Sequence, residues 1–246
     1  MIKKIIGKII YGEKYSQETY CDFLKKNGVF IGDNTCFFDP RTTLVDANRG
    51  DYIKIGSNCK ITSGVTIVAH DYSWSNIIES NKMIYPSGGK PVQIGDNVFI
   101  GVNTTIVGPV KIGDNVIIGA GSVVCKDLPS GTVCAGNPAK VIKKVDDYAK
   151  KLKKATVDDL YRDASVFINK NRRFPTIEEC GGGRYGVLFM DKTEENWQRY
   201  VKTVSLKGVN LEVARGAFMN TEKAFRDFDD FKQKYEQYRK STKGSA

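Results

Sequence analysis

The 246-residue chain has a single histidine, His70. That count excludes metal centres built from several imidazoles, such as three-histidine hydratase sites. None of the six cysteines (Cys21, Cys36, Cys59, Cys125, Cys134, Cys180) forms a CxxC pair, so no zinc signature and no disulfide-stapled mini-domain is present. Reduced, packed thiols in the cytoplasm are the simplest account of them, and no metal is expected. No apolar run reaches the roughly 18 residues that a membrane-spanning helix requires. There is no basic tail: 17 basic face 12 acidic residues through Val145, and 21 face 16 after it. Nor is there a basic stripe with interleaved aromatics, which argues against nucleic acid. An even net charge of +10 suits an anionic ligand, an acidic glycan, an anionic membrane surface or a solvated exterior. The glycine run Gly181-Gly182-Gly183-Arg184 lacks the spacing and the Lys-Ser/Thr pair of a phosphate loop and reads as a flexible loop.

What is present is a repeat. Aliphatic residues stand at Ile94, Ile100, Ile106, Ile112, Ile118 and Val124, a strict period of six. Glycine often follows them, at Gly95, Gly101, Gly113 and Gly119. Small or β-branched residues come four positions after them, at Val98, Thr104, Val110, Val116 and Ser122. An earlier block repeats the pattern at Ile55, Ile61 and Ile67, and a fragment at Ile31 and Phe37. Residues 43–54 break the register and read as a loop. A helix would turn about 600° between such aliphatics and smear them around its barrel. The Gly-Asp-Asn triplets at 95–97 and 113–115 would interrupt one long strand. Short strands joined by tight turns satisfy both facts. Three six-residue units close a triangular coil, each aliphatic stacks on its equivalent 18 residues on, as Ile94 on Ile112, and glycine and Asn/Asp occupy corners that need positive φ. The period does not set the hand of the coil.

The flanks divide the chain into three parts. Residues 1–28 form an N-terminal helical segment and cap, 29–145 the coil with an insertion at 71–91, and 146–246 a mostly helical extension. MIKKIIGKII is too short and charged for a secretory signal. Its apolar face (Ile2, Ile5, Ile6, Ile9, Ile10) fits peripheral contact with an anionic membrane through residues 1–10, or packing on protein. Ser16–Gly28 reads as a helix with an N-cap Ser and a Gly beyond its C-terminus, placed to cap the first coil. The repeat should end at Gly131. Beyond it, Asp146–Asn171 reads as helix in two pieces, Tyr185–Met190 as a buried strand, and Thr193–Ser205 and Thr221–Lys240 as helices. The last of these carries a packing stripe of Phe225, Phe228, Phe231, Tyr235 and Tyr238.

The repeat over 94–145, with its ending AGNPAKVIK at 135–143, resembles the C-terminal half of hexapeptide-repeat acetyltransferases. VTIVAHDYSW at 65–74 is similar to the active-site region of the branch that acetylates sugars, including galactoside, maltose, capsule and lipopolysaccharide O-acetyltransferases. The resemblance runs from about Ser16 to Val145. It implies a left-handed parallel β-helix, a homotrimer, and acetyl-coenzyme A bound in a groove between neighbouring subunits.

The chemistry follows from the residues and from that resemblance. His70 ends the second repeat block, next to an insertion with Trp74, Tyr85, Pro86 and Gly88-Gly89 that can wall an acceptor pocket. A neutral imidazole can take the proton of an attacking hydroxyl, and a thioester needs no metal because its thiolate leaves readily. A carboxylate on the second ring nitrogen would fix the tautomer; the candidates are Asp46, in an LVD segment similar to one in the family, and Asp71, next in sequence. The resemblance assigns an oxyanion-binding backbone N–H to Val102, a pantetheine contact to Ala120 and a groove-lining aromatic to Phe99. It places Lys126, Lys140 and Lys143 near the coenzyme phosphates.

The expected function is transfer of acetyl from acetyl-coenzyme A to a hydroxyl of a sugar or surface polysaccharide precursor, with His70 as general base. The rivals are an acyltransferase with a different acceptor or an acyl-carrier-protein donor, and a non-catalytic β-helix serving as scaffold or glycan-binding module. Substitution of His70 separates the last of these from the enzymes.

Overall fold

The structure is a computed structural model that describes residues 7 and 9–243, apart from the side chains of Lys154 and Lys243. The amphipathic segment expected over 1–10 and the terminal Gly244-Ser245-Ala246 fall largely outside the described residues. Two compact units are present, residues 1–148 and 149–246.

Unit 1 is a parallel coil with three sheets. The first sheet takes β1 (Phe30–Ile31), β4 (Ile53–Ile55), β7 (Val92–Ile94) and β10 (Val110–Ile112). The second takes β2 (Cys36–Phe37), β5 (Lys60–Ile61), β8 (Phe99–Ile100), β11 (Ile117–Ile118), β13 (Thr132–Gly136) and β14 (Ala139–Lys144). The third takes β3 (Leu44–Val45), β6 (Thr66–Val68), β9 (Thr105–Val107) and β12 (Val123–Val124). From β1 to β12 the chain visits the sheets in rotation, so each of these four rungs adds one parallel strand to each.

The period-six aliphatics are the core. Ile31, Ile55, Ile94 and Ile112 stack down the first sheet. Phe37, Ile61, Ile100 and Ile118 stack down the second, and Val45, Ile67, Ile106 and Val124 down the third. None of the twelve is more than 7% exposed, and burying each such side chain contributes about 1.5–3 kcal/mol.

The corners divide their labour in a way the repeat alone does not reveal. Positive φ falls on the third residue after the aliphatic: Asn34, Asn58, Asn97 and Asn115 between the first and second sheets, and Gly64, Asn103 and Gly121 between the second and third. The glycine directly after the aliphatic does not have positive φ. A Cβ on Gly95 would stand 2.8 Å from the backbone carbon of Gly113 in the next rung, and one on Gly101 would stand 2.5 Å from the Ala120 nitrogen. Those glycines are required because rungs are only about 4.8 Å apart. At the same corner the Asp114 carboxylate accepts the Asp96 N–H (2.8 Å), and the Asp96 carboxylate accepts the Ser57 N–H (2.7 Å).

Helix α1 (Gln17–Lys26) starts at Ser16, whose hydroxyl forms a reciprocal capping box with Thr19. It buries Tyr20 and Leu24 in the same cluster as the coil aliphatics. The Tyr20 hydroxyl donates to the Thr43 carbonyl (3.3 Å) and accepts the Val45 N–H (3.1 Å).

Three expectations for this unit need correction. Residues 43–54 are not one loop: Leu44 and Val45 pair with Thr66 and Ile67, and a 3₁₀ segment follows at Ala47–Tyr52. The insertion at 71–91 contains helix α2 (Trp74–Asn81). The repeat does not stop at Gly131, because β13 adds another rung on β11 and β14 folds back antiparallel on β13. Cys134, over Ile118, supplies the inward side chain there without the period-six aliphatic that made earlier rungs legible.

Helix α3 (Val145–Asn171) is continuous rather than two pieces. Unit 2 continues with α4 (Glu194–Thr203), α5 (Leu211–Asn220) and α6 (Phe228–Lys243). Tyr185–Met190 is not a strand; a 3₁₀ segment spans Cys180–Leu188. Glycines 181–183 all have positive φ, which curls the chain where a strand would need extension. Tyr185, Leu188 and Phe189 then bury at near-helical spacing with Tyr161, Phe225, Phe231 and Tyr235. Helix α5 was not expected, and α6 starts later than Thr221.

Candidate active site

The second residue after β6 is His70, at the corner between the third and first sheets. The chain leaves the coil there and returns at Lys90, whose N–H donates to the Ala69 carbonyl (2.7 Å). One rung earlier, at the same corner, β3 runs into Asp46. The Asp46 N–H donates to the Ile67 carbonyl (3.0 Å), which fixes its backbone to the rung above. Asp46 Oδ2 lies 2.5 Å from His70 Nδ1 and also accepts the Ala69 N–H at 3.2 Å. The carboxylate side chain is 5% exposed and the imidazole 49%. A buried carboxylate thus holds Nδ1 and leaves the Nε2 edge toward solvent.

Among the described residues Asp71 makes no hydrogen bond to the ring. It accepts the Ser73 N–H (2.8 Å), which turns the chain into α2 and holds its carboxyl below the usual range.

A cleft of about 400 Å³ opens over His70, lined by Asn48, Arg49, Asp71, Tyr72, Trp74, Pro86 and Ser87. Tyr72 and Trp74 meet edge-to-face with ring centroids 5.3 Å apart. The insertion closes tightly on the coil at Gly89, where a Cβ would strike the Tyr52 ring. Trp74 and Pro86 were expected in this wall. Tyr85 is not a lining residue; it is 59% exposed, with its hydroxyl on the Met83 sulfur. Asn48 and Arg49 were missed. Their only sequence signal is that they follow Asp46 within three positions.

The other predicted positions lie elsewhere on the coil. Val102 and Ala120 form a column at the corner between the second and third sheets, where the Gly121 N–H donates to the Val102 carbonyl (2.8 Å). Phe99, 38% exposed, sits on the second sheet between Lys60 and Ile117. Lys140 and Lys143 lie on β14 opposite Ala135 and Val133. Lys126 follows β12, on the corner that carries His70. Among the described residues none of these three lysines pairs with a carboxylate. Within one chain, therefore, His70 and the Val102–Ala120 column occupy different corners, one prism side apart, or up to about 20 Å for a six-residue unit. Among the described residues no cluster of three or more His, Cys, Asp or Glu side chains could hold a metal ion.

The bacterial hexapeptide transferase family (six repeats) matches residues 91–126. Protein CapG of Staphylococcus aureus is 40% identical over 132 residues, which cover 53% of this chain and 74% of that protein. The 2,3,4,5-tetrahydropyridine-2,6-dicarboxylate N-acetyltransferase of Clostridium botulinum is 54% identical over 78 residues, 32% of this chain and only 33% of that enzyme. A maltose O-acetyltransferase structure from Clostridium difficile is 29% identical, covering 57% of this chain and 83% of that one, with a TM-score of 0.39. The period-six core, its corner asparagines and the matched repeats agree: the chain belongs to the hexapeptide-repeat acetyltransferase family.

Proposed function

We propose that the protein transfers acetyl from acetyl-coenzyme A to a sugar hydroxyl, with His70 as general base. The observation that carries this reading is the buried Asp46 carboxylate on His70 Nδ1, beneath a cleft walled by Tyr72 and Trp74. With Nδ1–H donated to Asp46, Nε2 carries a lone pair. The acceptor oxygen attacks the thioester carbonyl carbon while Nε2 takes its proton. The oxyanion that forms accepts the Val102 N–H. Collapse breaks the C–S bond, and the leaving thiolate takes the proton back from the imidazolium.

The donor lies along Phe99, Val102 and Ala120, with Lys126, Lys140 and Lys143 at its phosphates. Because His70 and that column stand on different corners, we assign the complete site to two neighbouring copies of the chain, in a homotrimer of left-handed coils. Helix α1 covers the first rung, and the apolar face that the sequence gives residues 1–10 fits either packing on protein or peripheral membrane contact. No described helix is long and apolar enough to cross a membrane.

A second reading has one observation behind it: the relative that matches 78 residues at 54% identity is an N-acetyltransferase. An amine would use the same base. The test measures coenzyme A thiol release with panels of sugars, glycans and amines, by wild type and His70→Ala. Release that depends on a hydroxyl acceptor and falls about 10²–10⁴-fold in the variant is expected. Equal release by both proteins removes His70 from its role, and release with amines alone favours the second reading.

A further inference from the structure

Arg49 is the unexplained charge of the cleft. Eight of the ten arginines in the chain sit on a carboxylate: Arg41, Arg162, Arg173, Arg184, Arg199, Arg215, Arg226 and Arg239. Among the described residues Arg49 has no ion pair or side-chain hydrogen bond, yet it lines the cleft beside His70. Its backbone is held in place. The Arg49 N–H donates to the Asp46 carbonyl (3.1 Å), and φ −130°, ψ 35° at Arg49 breaks the 3₁₀ segment. The following Gly50 is buried, and a Cβ there would strike the Asn27 carbonyl. The segment cannot drift without opening that packing.

The other charged groups at the cleft do not answer Arg49. Asp46 is taken by His70 and the Ala69 N–H. Asp71 is taken by the Ser73 N–H, and Lys90 adds positive charge beside it. The cleft therefore presents a guanidinium fork with no internal partner, next to a base and two aromatic rings.

We propose that the acceptor is a sugar carrying an oxyanion, a carboxylate or a phosphate, and that Arg49 receives that group while Tyr72 and Trp74 face the ring. This rests on reading the cleft as the acceptor site. A guanidinium fork matches both oxyanions in two-point geometry, and Asn48 supplies a neutral donor and acceptor beside it.

The experiment is equilibrium binding to the full chain without acetyl-coenzyme A, so that no turnover is needed. The probes are methyl glucoside, methyl glucuronide and glucose 1-phosphate, against wild type, Arg49→Gln and Arg49→Lys. At least one anionic sugar should bind wild type about tenfold to hundredfold tighter than the neutral glucoside, and added salt should narrow the gap. Arg49→Gln should abolish the preference and leave the glucoside unchanged; Arg49→Lys should recover part of it. The two anionic arms distinguish carboxylate from phosphate. Equal binding of all three sugars, absence of binding by any of them, or an equal loss for charged and neutral sugars in Arg49→Gln overturns the proposal. Thiol release with the preferred sugar then separates the two claims: an Arg49-dependent preference without acetyl transfer leaves the oxyanion site standing and refutes the acetyl-transfer reading.

Discussion

Removing the Asp46 carboxylate tests the candidate site most directly, because one oxygen makes two contacts. Oδ2 meets both His70 Nδ1 and the Ala69 N–H. In Asp46→Asn the amide oxygen can occupy the Oδ2 position and accept both hydrogens, so the tautomer survives and only the charge is lost. A hydrogen bond to a charged group contributes about 1.5–3 kcal/mol and a neutral one about 0.5–1.5. The difference, about 1–1.5 kcal/mol lost only from the imidazolium-like transition state, amounts to about 5- to 13-fold in kcat. Asp46→Ala removes orientation as well, and strands the buried Ala69 N–H at a further cost of about 1–3 kcal/mol in stability. Its kcat should fall further, toward that of His70→Ala. Asp71→Asn should stay within about threefold of wild type, since Asp71 contacts Ser73 and not the ring. Initial rates of coenzyme A thiol release, with unfolding midpoints alongside, give the ordering. A loss in Asp71→Asn exceeding that in Asp46→Ala, or an Asp46→Ala enzyme as fast as wild type, would refute the reasoning.

Two further predictions concern the frame. Gly95→Ala should destabilise unit 1 by several kcal/mol, because the new Cβ meets the Gly113 backbone, which cannot move without opening a rung. Gly131→Ala meets nothing within 4 Å and carries only the strain of its φ of +71°, about 1–2 kcal/mol; denaturant unfolding of the two variants should show that order. In unit 2, Arg173 grips Glu179 through two contacts (2.6 and 2.7 Å) and pulls its pKa from 4.5 down to about 2. A depressed folded pKa means that this contribution is complete above about pH 4.5 and is lost as pH falls toward 2. An NMR titration of Glu179 should show it, and Arg173→Ala should return the midpoint toward 4.5.

The repeat was legible because a solenoid writes its tertiary contacts locally. Each inward aliphatic meets its own equivalent one coil on, so Ile94 over Ile112 is a sequence period as well as a packing contact. His70 was legible by its place at the end of a block and by its uniqueness. What the sequence left open turned on contacts between different rungs or between distant segments. Asp46 and Asp71 were both acceptable partners for His70 by type; only the stacking of β3 on β6 brings an aspartate 24 residues away onto Nδ1 and turns the adjacent one aside. Arg49 gave no signal beyond its nearness to Asp46, because an unpaired guanidinium is defined by what surrounds it. In unit 2 the apolar run YGVLFM reads as a strand; three glycines with positive φ and an aromatic cluster drawn from residues 161–235 decided for a 3₁₀ segment. Local pattern determined the coil, its inward residues and the position of His70. Tertiary structure alone decided which carboxylate holds that imidazole and which charge faces its cleft, since both depend on three-dimensional proximity between residues whose spacing carries no period.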